Sequence, residues 1–527
     1  MNNCRGRSFF VVSAWIFIFA LFSHFVAHGE ETRPNVLYIF PDQFRQAATG
    51  FWRNAEYAQA RRTLSDPVHT PNIDRLADEG MVFTQATSTF PICSPYRAML
   101  LSGMYPATNH VCQNCRSGSP IGLKEGVESL TNVLAQAGYD TAYVGKTHWI
   151  RTDPVFDAQG NYQGAGSPKG GRYANAFDTY IPPGANRLGN RFWFQAIRDN
   201  HKAAWSYSSE PRLVGGKRDG EVHKLDRYTP EVEADVIIGY LRNANGERDS
   251  DKPFSILWSP NAPHTPYSSV NDCEKDIYDE FYRDLPLEKL LNRPNAQAFL
   301  NRENSAKMRM SASVYFSNVS GVDRQIGRVL DALEEIGELD NTLIIFTSDH
   351  GEMMGSLGHM TKGKIYEESF LVPLLIRYPR GIPHRLENLM ISPVDMMPTI
   401  LGILGLEERI PASVEGTNYA EGLRSGDFSA TPKPVSAFFA FMGHKPVEGR
   451  RGVRTEKYAY QVFFDGTTEL FNLHDDPYQM HPLALDEIPT QDVQMLQSEL
   501  GRWLQKSNDP WARQRQCANF ILYDISH

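Results

Sequence analysis

The sequence predicts an α/β protein organised around a parallel sheet and followed by a smaller C-terminal α+β subdomain. Three observations lead there. Short apolar runs of strand length alternate with amphipathic helical stretches. Polar clusters recur immediately after several of those runs. Beyond about Leu404 the composition changes toward short β-like segments.

Residues 36–40 are the first apolar run and read as a buried strand. Thr70-Pro71 then opens a helix, with the threonine as cap and the proline at the first helical position. Ile73, Leu76 and Ala77 line one face of it, and Gly80 stops it. A second helix carries Leu130, Val133, Leu134 and Ala137 and ends at Gly138; a strand at 141–144 follows. Residues 254–258 read as another strand. A longer helix places Val319, Val322, Ile326, Val329, Leu330, Leu333 and Ile336 at helical spacing before Gly337 and leads into a strand at 342–347. Strand after helix in this order is the pattern of a parallel sheet. Residues 153–228, rich in Gly, Asn, Arg and aromatics and without periodicity, read as long insertions near the active face. Toward the C-terminus, 435–441, 452–464 and 469–473 read as short antiparallel strands, and 493–504 as a polar helix.

The N-terminus has the layout of a cleavable export signal. Arg5 and Arg7 precede an apolar run from Ala14 to Phe22, and Ala27-His28-Gly29 offers small residues at a cleavage spacing. A permanent membrane anchor is the alternative, but Ser13, Ser23 and His24 keep the run short for a span. No stable membrane span is therefore expected after signal removal, and the destination is periplasmic, secreted or lumenal. Cys4 lies too early for a lipoprotein anchor. The net charge of −9, with no long basic run, argues against nucleic acid or an anionic membrane as partner. It leaves an anionic substrate open, because a local pocket can reverse the sign. Export permits disulfides among Cys112, Cys115, Cys273 and Cys517, although their pairing is unreadable; for Cys112 and Cys115 a local disulfide or two thiols is expected rather than a zinc or redox pair.

Four polar clusters stand just beyond expected strands: Asp42-Gln43, Lys146-Thr147-His148, His264 and Asp349-His350. Ligands of open α/β sheets bind beyond the carboxyl ends of strands, so the four converge on one rim. The strongest local signal is Cys93-Ser94-Pro95-Tyr96-Arg97 followed by Leu100-Leu101-Ser102-Gly103. Ser94 as cap and Pro95 as first residue would set Cys93 at a helix N-terminus, where free N–H groups favour an anion, with Arg97 one turn in. A buried structural cysteine, or a nucleophile with a depressed pKa, fits the same residues.

This motif resembles the signature of the type I sulfatases, within the alkaline-phosphatase-like superfamily. Its surroundings resemble that family in order: residues 70–80 before it, then Gly145–His148, Ala262–Tyr267, Ser348–Glu352, Tyr366–Ser369, Val372–Pro379, Val453–Thr455 and Glu469–Pro477. Tyr96 stands where many members have Ser, Gln43 where many have Asp, and His350 where many have Asn. The Asp-Gln and Asp-His pairs also resemble phosphonate monoester hydrolases and choline-sulfatase-like members.

The resemblance implies a large mixed, mostly parallel sheet sandwiched by helices, and three divisions: a signal at 1–29, a sulfatase catalytic domain at 30–430 and an antiparallel-sheet subdomain at 431–527. It implies oxidation of Cys93 to formylglycine by a maturation enzyme. It implies a divalent cation, Ca²⁺ with Mg²⁺ or Mn²⁺ as alternatives, held by Asp42, Gln43, residue 93, Asp349 and His350. A hydroxyl of the hydrated aldehyde would attack sulfur and release the alcohol; deprotonation of the other toward His148 would expel sulfate. His264 and Lys362 would serve the leaving oxygen, and Arg97 and Lys146 the developing charge. The expected substrate is a sulfated carbohydrate or aryl sulfate. A phosphonate monoester or phosphodiester hydrolase, or a non-catalytic glycan-binding protein, is the alternative.

Overall fold

Ten strands among the described residues make one sheet. They are β1 (Asn35–Ile39), β2 (Met81–Phe83), β3 (Asp140–Gly145), β4 (Phe192–Ile197), β5 (Trp205–Ser208), β6 (His223–Lys224), β7 (Phe254–Ser259), β8 (Thr342–Thr347), β9 (Leu374–Arg377) and β10 (Arg385–Glu387), in the spatial order β10-β2-β9-β8-β1-β7-β3-β4-β5-β6. The central strands β8, β1, β7, β3 and β4 run parallel, each to the next. Their sequences are largely apolar on both faces because both faces are covered: Leu37 and Ile39 enter one core, Val36 and Tyr38 the other. This is a mixed, mostly parallel sheet sandwiched by helices, as expected. The computed structural model describes residue 1 and residues 33–115, 121–150, 179–197, 201–301, 303–442 and 448–513. The signal expected at 1–29, apart from its first residue, lies outside the described residues, as do Cys4, Cys517 and 151–178.

Register brings the strand ends together. Ile39 lies beside both Trp258 and Phe346, and Val144 beside Trp258. The chain therefore leaves β1, β3, β7 and β8 along a single rim. The helices α1 (Pro71–Glu79), α2 (Cys93–Ser102), α3 (Leu130–Gln136), α4 (Thr229–Leu241) and α5 (Ser305–Glu335) intervene between strands along the chain. Helix α5 starts well before Val319. Its first half buries Ser311, Ser313, Ser317 and Asn318, small polar residues that hide the apolar period. Two of those serines return their hydroxyls to the carbonyl four residues back, Ser313 to Arg309 (2.8 Å) and Ser317 to Ser313 (2.7 Å).

Three local expectations are corrected. Thr70 precedes α1, but its side chain caps nothing; the Asp323 carboxylate of α5 takes the Ile73 N–H at 2.7 Å instead. The region 153–228 is more than insertion: β4, β5 and β6 extend the sheet there. Residues 452–464 are two strands, with a turn at Glu456-Lys457. The C-terminal sheet is β11 (Ser436–Phe441), β12 (Arg450–Thr455), β13 (Tyr458–Phe463) and β14 (Thr468–Asn472), antiparallel throughout, with helix α6 (Thr490–Lys506) against it. Its core stacks Phe438 on Trp503, rings 6.0 Å apart. The described residues from Pro34 onward form one compact unit. Among the described residues, no helix is long and apolar enough to cross a membrane.

Candidate active site

At the tip of β1 the chain continues through Phe40 and Pro41 to Asp42, whose N–H donates to the Pro260 carbonyl at 3.0 Å. At the tip of β3, Gly145 has φ 109°, and a Cβ there would stand 2.2 Å from the Ser259 carbonyl oxygen. Only glycine lets β3 pass that close to β7 and deliver Lys146 and His148 onto the rim. Beyond β8 come Asp349 and His350.

Helix α2 aims its N-terminus at the same place. It starts at Cys93, one residue before the expected cap, with Ile92 extended in the N-cap position. Ser94 is thereby released from capping: its hydroxyl accepts the Cys115 N–H at 3.0 Å, and its own N–H donates to Asn114 Oδ1 at 3.1 Å. The Cys112–Cys115 loop is thus tied to the helix start. Cys112 and Cys273 are free thiols, so no bridge closes between Cys112 and Cys115.

The Cys93 sulfur lies 3.6 Å from Asp42 Oδ1 and 3.3 Å from His350 Nε2. His350 Nδ1 donates to the Gly351 carbonyl at 3.0 Å, which turns Nε2 inward. Nε2 stands 3.6 Å from one oxygen of Asp42 and 3.6 Å from one of Asp349. Asp42, Cys93, Asp349 and His350 each offer an atom within 4.8 Å of the others, all buried. Gln43 (φ 67°) donates its N–H to Asp349 Oδ1 at 2.9 Å, while its side-chain amide bonds Glu352 and, through Oε1, Lys362 Nζ at 2.7 Å.

Charge is tightly opposed here. Burial would raise the Asp42 carboxyl, but Lys146, His264, Lys362 and His350 hold it well below the usual carboxylate range. Asp349 goes the other way: burial, then the Asp42 charge, pushes it up. Two buried carboxylates, an imidazole nitrogen and a side chain at the head of a helix make a donor set that fits a hard divalent cation. Such an ion would relieve the repulsion that raises Asp349 and take the place of the proton that Asp349 favours on His350. Burial and Asp42 would likewise raise the Cys93 thiol; Lys146, Lys362 and His350 outweigh them and lower it.

Arg97 is fully buried, 5.0 Å over the Phe40 ring. Nη2 reaches Asp42 Oδ2 (3.2 Å) and Asp349 Oδ2 (3.4 Å); Nη1 donates to the Lys146 carbonyl (3.2 Å) and to Ser259 Oγ. Lys146 Nζ meets Asp42 Oδ2 at 2.5 Å. His148 (φ 63°) donates from Nε2 to the Cys115 carbonyl at 3.2 Å, leaving Nδ1 as the acceptor nitrogen. Burial, Lys146 and Arg97 drive its pKa well below the ordinary histidine value, so the imidazole is neutral. His264 Nδ1 faces the Thr265 carbonyl at 3.0 Å, and its Nε2 accepts from Lys362 Nζ at 2.7 Å. Every residue singled out from the sequence therefore gathers at this rim.

Several supporting residues escaped sequence reasoning. The Glu352 carboxylate accepts the Met354 and Thr361 N–H groups and the Gln43 amide, bracing the loop that carries Lys362. Tyr315, from α5, donates to the Gln43 carbonyl at 2.8 Å. His201 Nε2 meets the His264 carbonyl at 2.7 Å. Only Glu352 left a trace, as the last residue of the Ser348–Glu352 motif.

The chain is similar to several known proteins. Residues 34–406 match the family model described as Sulfatase, and residues 355–507 match the one described as N-sulphoglucosamine sulphohydrolase, C-terminal. An endo-4-O-sulfatase of Bacteroides thetaiotaomicron is 37% identical over 512 residues, covering 93% of this chain and 95% of that protein. An ulvan-active sulfatase of Formosa agariphila is 29% identical, covering 90% and 81%. A structure solved in work on the metabolism of multiple glycosaminoglycans by Bacteroides thetaiotaomicron superposes with a TM-score of 0.84 at 35% identity, covering 93% of this chain and 100% of that one.

Proposed function

The chain belongs to the sulfatase family and is a sulfuric ester hydrolase, and from that premise we propose that it removes sulfate from a sulfated polysaccharide after export, with residue 93 as a formylglycine beside a divalent cation. The observation that carries this reading is the position of the Cys93 sulfur, 3.6 Å from Asp42 Oδ1 and 3.3 Å from His350 Nε2. That sulfur stands in for the oxygens of the hydrated aldehyde.

Asp42, Asp349, His350 and the Gln43 amide oxygen would hold the cation, and oxygen-rich donors favour Ca²⁺ over Mg²⁺ or Mn²⁺. When bound, the ion would polarise a sulfate oxygen and acidify the aldehyde hydrate. The hydrate itself supplies two hydroxyls, one to attack sulfur and one whose deprotonation releases sulfate. The chain's own groups do the rest. Neutral His148, its tautomer set by the Cys115 carbonyl, accepts that proton at Nδ1. Lys362, donating to His264 Nε2, gives a proton-sharing pair for the leaving oxygen. Arg97 and Lys146, anchored by Asp42, present fixed positive charge to the sulfuryl group as it transfers.

The substrate class follows from the relatives. We take a 4-O-sulfated glycosaminoglycan-like chain as the first candidate, because the endo-4-O-sulfatase aligns along nearly the whole length. Turnover of a panel of sulfated oligosaccharides differing in linkage position tests it; activity confined to small aryl sulfates would count against it. Parallel assays of an aryl sulfate and an aryl phosphonate separate this reading from the phosphonate hydrolase. Mass spectrometry of the peptide holding residue 93 should show the loss of sulfur, and an intact thiol in active protein would overturn the mechanism.

A further inference from the structure

A cavity of about 290 Å³ opens beside the catalytic rim, between the first turns after β1 and β2 and the C-terminal sheet, lined by five arginines and three glutamates. Most of its charge is internally matched. Arg45 and Arg293 share Asp66, at 2.6 and 2.8 Å. Arg454 grips Glu367, and Arg62 donates to the Glu456 carbonyl. Arg61 is the exception: among the described residues no carboxylate lies within ion-pair distance of it. It is half-buried, lies 5.2 Å over the Trp52 ring, and donates only to neutral oxygens, Gln46 Oε1 at 3.0 Å and Thr63 Oγ1 at 2.7 Å. Among the described residues its Nε has no partner. Burial pulls its pKa down to about 10, and Arg45 adds to the fall against Asp66. A guanidinium held this way feels Asp66 and Glu367 only through space and has no direct carboxylate partner among the described residues.

The cavity's place in the fold says which anion it suits. Strand β2 runs parallel to β8, through the antiparallel β9 between them, so Thr84 and Gln85 leave β2 on the rim where Asp349 leaves β8. Two strand spacings separate them, about 10 Å. A second hollow, reaching Lys433, shares Ala60, Thr84, Gln85 and Glu456 with the first, which makes the space a groove. We propose that Arg61 binds an anionic group, sulfate or carboxylate, on a neighbouring unit of the same glycan whose scissile sulfate lies at residue 93. This rests on the proposed polysaccharide substrate.

The test compares wild type with Arg61→Gln, Arg61→Lys and Arg62→Gln, each checked by thermal unfolding. Against a 4-O-sulfated hexasaccharide, Arg61→Gln should raise KM about tenfold or more with kcat within about twofold, and Arg61→Lys should recover much of the loss. Turnover of an aryl sulfate should be unchanged. Equal hexasaccharide KM in wild type and Arg61→Gln would overturn the proposal. So would calorimetry in which inorganic sulfate binds through Arg61 while hexasaccharide binding ignores it, since the cavity would then hold only free anion. Calorimetric binding of the hexasaccharide needs no turnover. Loss of all sulfate-ester hydrolysis would therefore refute the substrate reading while binding still judges Arg61, and Arg62→Gln gives a second reading on the groove if Arg61→Gln misfolds.

Discussion

Lys146 Nζ and Asp42 Oδ2 stand 2.5 Å apart with 1% and 0% of their side chains exposed, although 104 residues separate them in the chain. A buried ion pair contributes little net stability over an apolar pair of the same shape, but removing one partner strands the other charge. Lys146→Met should therefore cost about 3 kcal/mol, less than a fully orphaned carboxylate because Arg97 still reaches Asp42. Activity should fall by two or more orders of magnitude. Denaturant unfolding and sulfate-ester turnover check the two effects; a variant of unchanged stability would mean that the pair is not closed in solution.

Asp349 gives a contrasting case. Burial and the Asp42 charge raise its carboxyl, and both main-chain bonds it accepts, from Gln43 and His350, can be kept by an amide oxygen. Asp349→Asn should abolish activity yet unfold no earlier than wild type in a chelator. Millimolar Ca²⁺ should stabilise the wild type, by about 2.7 kcal/mol at a hundredfold excess over Kd, and the variant much less. Thermal scans with and without chelator decide this; equal Ca²⁺ shifts in both proteins would remove Asp349 from the cation site.

Helix α1 shows how tertiary structure overrides a local signal. Asp323 Oδ1 accepts the Ile73 N–H at 2.7 Å and Oδ2 the Asn72 side-chain amide at 2.9 Å. Asp323→Ala should cost about 2 kcal/mol through lost capping and an orphaned amide, leaving kcat of the folded enzyme unchanged. Urea midpoints measure the first and steady-state kinetics the second.

The same pair shows what was legible beforehand. The α1 pattern was plain because its apolar spacing is local, whereas its cap comes from a residue some 250 positions away. The chemistry-bearing residues were legible because each follows an apolar run that becomes a buried parallel strand: Asp42 after β1, Lys146 and His148 after β3, Asp349 after β8. Glu352, Tyr315 and His201 act through loops or from the flank of a helix, where no periodicity marks them. Strands β5 and β6 were hidden because they are short and polar, four and two residues long, with β6 at the sheet edge. Strand β4, though apolar and buried, was hidden because it stands alone in a stretch without helical or strand periodicity.

Glu233 sets a pH dependence that is independent of catalysis. It is wholly buried on α4, and its bond from Trp258 Nε1 at 3.0 Å does not offset burial, which pushes its pKa from 4.5 up to about 8. In the unfolded chain the proton leaves near pH 4.5, while the folded protein keeps it to about pH 8. Between these values the unfolded state binds fewer protons, so stability falls as pH rises, by at most about 1.4 kcal/mol per unit, and the loss is complete above the folded value. Glu233→Gln keeps the acceptor for Trp258 and has no charge to bury. It should match wild type near pH 4, unfold at a progressively higher temperature than wild type from pH 5 to 8, and run parallel to it above. Melting curves across that range, with the cation site held in one state by constant Ca²⁺, test this; a difference that is flat with pH would show that Glu233 is ionised in the fold.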